Sequence, residues 1–177
     1  MNTGTRSHRT VIAAATALAV IASPASRPAE AAAPAAGHVP GDRASYFGNG
    51  DLQAIWKDLE SRQVINQRIV EGGSYSVNVR IVRPSDAPLV HRNSADVWVV
   101  TAGTATAVTG GELLNAALRP NSDDTAGTAI RGGTDQSLKQ GDIVFVPPGV
   151  PHAFKDLKGF RAFLIRFDVP GGAAPRP

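Results

Sequence analysis

The stretch Gly141-Asp142-Ile143-Val144-Phe145-Val146-Pro147-Pro148-Gly149-Val150-Pro151-His152 constrains the fold more than any other part of the chain. Gly141-Asp142 has the composition of a tight turn. Ile143, Val144, Phe145 and Val146 are β-branched or aromatic, as a buried strand wants. Pro147 and Pro148 cannot donate backbone hydrogen bonds, so a ladder is interrupted there. Gly149 permits a positive φ that other residues resist. His152 is therefore delivered at a fixed place by stiff backbone, which suits a metal ligand or a catalytic base.

The rest of the chain is consistent with a β domain. Tyr75, Val77, Val79 and Ile81 alternate with Ser76, Asn78 and Arg80, which predicts a half-buried strand. Residues 97–100 and 104–109 read as two strands separated by Ala102-Gly103, and Gly110-Gly111 ends the second. Residues 113–131 are the least regular part, with Pro120-Asn121-Ser122-Asp123-Asp124 as an exposed loop. Residues 160–169 make the last strand. Ahead of the strands, Asp51 can cap a helix that carries Leu52, Ile55, Trp56 and Leu59 at helical spacing. Trp56 is expected to close one end of the β domain. Many short strands punctuated by Gly and Pro indicate an antiparallel sandwich or barrel.

The spacing Gly141, Pro147, Gly149, His152 resembles the second signature motif of the cupin superfamily, with Asp156 where that motif closes on Asn. Upstream, His91-Arg92-Asn93-Ser94-Ala95-Asp96 followed by Gly103 resembles the first motif, His-x-His, then Glu, then Gly. Asp96 stands for the Glu. In one register His91 is the second histidine and Leu89 replaces the first. In the other, His91 is the first and Asn93 replaces the second. The resemblance spans residues 73–169 and implies an all-β fold, a double-stranded β-helix (the cupin jelly-roll barrel), here with a short N-terminal helix. No internal repeat is present, so a single cupin β-barrel is expected.

Strand alternation then places side chains. His91, Asp96 and His152 would share the barrel interior with Tyr75, Trp98, Phe154 and one of Phe145 or Val146, an apolar pocket with a few convergent polar groups. Two imidazoles and a carboxylate suit non-haem Fe(II) and tolerate Mn, Ni or Zn. The expected metal ligands are His91, Asp96 and His152, and Tyr75, Trp98 and Phe154 are the expected substrate-binding residues. Asp96 reads alternatively as a strand-start residue bonded to its own turn. Arg80, Arg161 and Arg166 read as solvated strand faces, and His38 as a linker residue.

Two functional classes follow. One is a metal-dependent enzyme of dioxygenase, isomerase or lyase type acting on a small organic molecule. The other is a non-catalytic module holding a ligand such as a sugar or an aromatic acid. A structural protein of the cell envelope is a third reading. Small cupins pair as dimers, and residues 64–71 are the expected exchange segment, so a homodimer is expected.

The N-terminus bounds the compartment. Arg6, His8 and Arg9 precede an apolar run over residues 11–22, and small residues follow. This is the order of a signal peptide, and the run is too short to span a bilayer. Residues 1–31 are read as the signal peptide, 32–48 as a flexible Ala/Pro-rich linker, 49–170 as the domain and 171–177 as a loose tail. The mature protein would be secreted or periplasmic, with no membrane association. Removing Arg6, Arg9 and Arg27 together with Glu30 takes the formal charge from +3 to +1, which offers nothing to a nucleic acid. The chain has no cysteine, so its stability must come from core, metal or oligomerisation.

Overall fold

The computed structural model describes Met1 and residues 39–171. Residues 2–31 of the expected signal peptide, residues 32–38 of the expected linker and all but the first residue of the expected tail lie outside the described residues. The described elements are β1 (Val39–Pro40), α1 (Asn49–Ser61), β2 (Asn66–Glu71), β3 (Tyr75–Ile81), β4 (Leu89–Val90), β5 (Ser94–Thr109), β6 (Glu112–Leu114), β7 (Ala117–Leu118), β8 (Thr125–Ala126), β9 (Ala129–Arg131), β10 (Thr134–Lys139), β11 (Ile143–Val146) and β12 (His152–Asp168). From Val39 the chain is already paired, parallel, with β2.

Two long strands, β5 and β12, form an antiparallel spine. β3 pairs with the second half of β12, and β2 pairs with β3. β11 and β10 pair with the first and second halves of β5. The spine is curled. His152 and Arg166 lie fourteen residues apart on β12, a separation of about 46 Å along a straight strand. Yet His152 Nε2 and Arg166 Nε stand 3.7 and 2.7 Å from the carboxylate oxygens of one residue, Asp96. The strand must wrap around an interior to do this, and the fold is the double-stranded β-helix that the two motifs imply.

Curling needs irregular points, and these are identifiable. The β5–β12 register shifts between Lys155 and Ala162, where Asp156 and Gly159 have φ of +54° and +58°. Opposite them, Gly103 has φ +72°. A Cβ there would lie 2.3 Å from the carbonyl oxygens of Lys158 and Gly159. Gly103 thus bends a strand that was expected to end at it, because backbone approaches backbone at that point. The last strand likewise begins at His152, eight residues earlier than its apolar run suggests.

Two apolar clusters lie on opposite faces of β12. Ala162 and Leu164 point inward with Trp98, Val100, Ala105, Ala107, Leu138, Val146 and Phe160. Phe163 points outward and joins Val79, Ile69 and the helix residues Ile55, Trp56 and Leu59. Trp56 therefore covers a face of the sheet, 5.3 Å between ring centroids from Phe163, and does not plug an end. The helix starts at Asn49, and Asp51 caps it from within its first turn by accepting the Gly48 N–H at 3.0 Å. In β3 the polar residues Ser76 and Asn78 take the buried face towards β12, where Asn78 donates to the Leu164 carbonyl. β11 is an outer strand: Val144 and Val146 face the core, while Ile143 and Phe145 are 66% and 58% exposed. Of the two interior candidates there, Val146 is the one enclosed.

The bend yields a graded prediction for glycine replacement, read by urea denaturation. Gly110→Ala meets no atom within 4 Å at φ +74° and should cost only the left-handed penalty, about 1–2 kcal/mol. Gly103→Ala adds a forced backbone displacement, for a total of about 2–5 kcal/mol. Equal losses at the two sites would show that the Lys158–Gly159 backbone yields freely.

Candidate metal centre

Two rigid tethers bring the two motifs together. The Pro147-Pro148 corner turns at Gly149, whose φ is +76°, and the Gly149 N–H donates to the His91 carbonyl at 2.8 Å. Two residues later, the Pro151 carbonyl accepts the Gly110 N–H. His152 then starts β12 directly opposite Leu89 of β4. The rings of His91 and His152 face each other with centroids 5.0 Å apart.

Asp96 sits between them and is fully buried. Its Oδ2 is 3.3 Å from His91 Nε2 and 3.7 Å from His152 Nε2. One donor atom from each of the three residues lies within 4.8 Å of the others. Bonds of about 2.0–2.2 Å at tetrahedral or octahedral angles place neighbouring donors roughly 3–3.5 Å apart. The two imidazole–carboxylate separations need little or no adjustment to meet that spacing. The donor chemistry also fits, with nitrogen lone pairs from both imidazoles and an anionic oxygen. The His91, Asp96 and His152 group can hold a divalent ion.

A fourth residue completes the cluster, and its role differs from the solvated face expected of it. Arg166 lies directly across the ladder from Asp96 on the inner face. Its Nε and Nη2 donate to Oδ1 and Oδ2 of Asp96 at 2.7 and 2.8 Å, a two-point fork. Nη2 also stands 2.7 Å from His91 Nε2. A guanidinium has only donors, so Nε2 must accept and the His91 proton resides on Nδ1. That N–H points at Asp124 Oδ1, 2.7 Å away. A carboxylate behind an imidazole whose other nitrogen faces the site is the usual outer partner of a metal-binding histidine. His152 is set similarly, with Nδ1 3.3 Å from the Val150 carbonyl and Nε2 turned to Asp96.

The electrostatics follow from burial and pairing. Burial is the largest single influence and pushes the Asp96 carboxyl up, but the hydrogen bonds and charges of Arg166 and His91 together outweigh it and hold Asp96 well below the usual carboxylate range. Burial pushes Arg166 down, but the hydrogen bonds to Asp96 and the charges of Asp96, Asp124 and Asp168 together reverse this and raise it. His152 is lowered to about 4, by burial first and by the neighbouring His91 second. Its lone pair is therefore free at neutral pH.

The other expected residues divide. Trp98 and Phe154 meet edge to face at 4.7 Å and line a cavity of about 260 Å³ that reaches His152. Tyr75 does not line it. Its ring lies over Gly72 and its hydroxyl donates to the Gly41 carbonyl. Asn93 is exposed and donates to Asp123, whereas Leu89 lies opposite His152 across the ladder. Arg161 pairs with Glu60 of α1, and Arg80 pairs with Asp86 at 2.9 Å. Arg166 was legible in principle, since Phe160, Ala162, Leu164 and Arg166 share one alternation. Asp124 carries no such signal, because its loop is placed only by the finished fold.

No protein-family model and no curated protein matches the chain. Solved structures resemble it in part. A protein from Bacillus halodurans is 10% identical, covering 76% of this chain and 88% of its own, with a TM-score of 0.46. An uncharacterised conserved protein with a double-stranded β-helix domain from Klebsiella pneumoniae is 23% identical over 62% of this chain and 79% of its own, with a TM-score of 0.41. A cupin-2 domain containing protein from Shewanella frigidimarina is 18% identical over 62% and 89%, also at 0.41.

The buried histidine makes a pH prediction for protein stripped of metal. The folded state keeps His152 unprotonated down to about 4, whereas the unfolded chain protonates it near 6.5. Between those values the unfolded state binds more protons, so stability rises with pH. Lowering the pH from about 6.5 to 4 should cost up to about 3 kcal/mol through this residue. His152→Gln should flatten that limb of the pH–stability curve, and an unchanged slope would contradict the buried, neutral imidazole.

Proposed function

We propose that this protein binds one divalent metal ion through His91, Asp96 and His152, and a small organic ligand in the adjoining cavity, outside the cytoplasm. The observation that carries the reading is the convergence at one point of two inward-facing Nε2 atoms, that of His91 accepting from Arg166 and that of His152 unpaired among the described residues, with a buried carboxylate. Three protein ligands leave coordination positions open, so a bound metal would supply Lewis-acid or oxygen-activating chemistry there. Fe(II), Mn, Ni and Zn suit this donor set. The chain's own residues orient and enclose: Asp124 fixes the His91 tautomer, Val150 fixes His152, and Trp98 and Phe154 form an apolar wall. A dioxygenase, isomerase or lyase activity is the enzymatic form of this reading.

Arg166 supports a second reading. Its Nη2 is within hydrogen-bond distance of two of the three prospective ligands. In a non-catalytic binding module the guanidinium would permanently supply the positive charge that a metal brings elsewhere. In the metal-binding form it must leave Asp96 when the ion arrives, so it competes with the metal.

Export rests on the basic, apolar, small-residue order of the first thirty-one residues. Dimerisation rests on the β2 edge. Only Val70 and Glu71 are covered by β1, and residues 66–69 have no strand partner on that side among the described residues. Such an edge invites strand addition.

Calorimetric titration of chelator-treated protein with Zn(II), Mn(II) and anaerobic Fe(II) tests the metal reading. His91→Ala and His152→Ala should lose more affinity than Asp124→Ala, which removes an outer partner and should cost roughly 10–100-fold. Leu89→His should tighten binding, because position 89 faces His152 across the ladder. Arg166→Gln should also tighten it, by about tenfold or more if charged hydrogen bonds to Asp96 no longer have to break. Unchanged binding in both histidine variants, with circular dichroism intact, would hand the account to the binding module.

A further inference from the structure

The cavity beside His152 has a wall that the metal reading leaves unused. It is lined by Trp98, Phe154, Leu89 and Val82 on its apolar side and by Arg80, Arg119 and Asp86 on its charged side. Arg80 is largely buried and is committed to Asp86. Arg119 forms no ion pair among the described residues. Burial is the main influence that disfavours the charge on Arg80, and the Arg119 guanidinium adds a smaller one of the same sign. The cavity edge thus carries two positive charges against one negative.

A second observation is independent of that charge. Trp98 is 4% exposed and meets Phe154 edge to face at 4.7 Å, so the two rings give the cavity a fixed aromatic wall. Such a wall suits a flat or aliphatic apolar body. The cavity volume, about 260 Å³, is just below the usual range for small-molecule sites, so the occupant is small.

We infer that this cavity takes a small organic monocarboxylate with a flat or aliphatic apolar body, its carboxylate paired with Arg119 beside Arg80 and its body against Trp98, Phe154 and Leu89. The inference rests on the reading of the barrel interior as a small-molecule site, and it names the class of molecule. A neutral ligand would gain nothing from the excess positive charge. A dianion would meet Asp86 as well as the arginines. A sugar would set many hydroxyls against an apolar wall. An apolar monoanion matches both halves.

The probes are benzoate, phenylacetate and hexanoate, with benzamide as the neutral counterpart of benzoate. Binding to the purified protein is followed by calorimetry and by tryptophan fluorescence, with Trp98 at the site. At least one acid should bind saturably, more weakly as salt is added, while benzamide binds at least about tenfold worse. Arg119→Gln, a change at an exposed side chain, should lower acid affinity by about the same factor and leave benzamide unaltered. Equal binding of benzoate and benzamide, acid affinity unmoved by Arg119→Gln, or saturable binding by none of the three acids would each overturn the inference. The metal titration, run on the same preparation, separates the two claims. Metal binding without acid binding sinks this inference alone, and acid binding without metal sinks only the metal reading.

Discussion

A fully buried carboxylate must be given a positive partner, and Asp96 organises this barrel around that demand. An uncompensated charge at its position would cost several kcal/mol. Arg166 meets the demand across the ladder, and His91 and His152 complete the surround. The same arrangement requires the spine to curl. Asp96 draws residues from both ends of β12 to one place, which straight strands cannot do. It also explains why the centre is ambivalent. A carboxylate flanked by two lone pairs accepts a guanidinium or a metal ion for the same electrostatic reason.

The cluster borders two different depressions. One is open and polar and is lined by Asn93, Asp123, Asp124, Asp168 and Arg166. The other is the narrower cavity with Trp98, Phe154, Arg80, Arg119 and His152. A cation approaching the first meets carboxylates, and an apolar anion approaching the second meets arginines and aromatic rings. On the proposed reading the asymmetry would give a metal ion and an organic ligand separate approaches to one centre, and it follows from which loops the fold lays at each mouth.

Much of this was readable from the chain, and the failures share a cause. The Gly141–His152 stretch predicted the β11 strand, the corner and a positioned histidine, and all three are found. Asp96 was singled out by the resemblance of residues 91–103 to the first cupin motif. Local signals misled where a tertiary contact decided. Gly103 looked like a strand end, but it bends a continuous strand because the Lys158–Gly159 backbone passes against it. Residues 143–146 looked like a strand buried throughout, but β11 is an outer strand and period-two alternation turns Ile143 and Phe145 outward while Val146 is enclosed. Tyr75 shares an alternating strand with apolar residues, yet its hydroxyl finds the Gly41 carbonyl. Asp124 became a partner of His91 only through a loop whose position no periodicity specifies. Arg166 was passed over because an arginine on a strand is usually solvated, though its inward phase was already visible.

The direct measurement is a crystal structure of the protein soaked in Zn(II) or Mn(II), with anomalous scattering recorded at the metal edge. The account predicts one strong peak about 2.0–2.2 Å from the Nε2 atoms of His91 and His152 and from an Asp96 oxygen, with the Arg166 guanidinium displaced from its fork. A map at saturating metal with no peak there, and with Arg166 still bonded to both oxygens of Asp96, would contradict it.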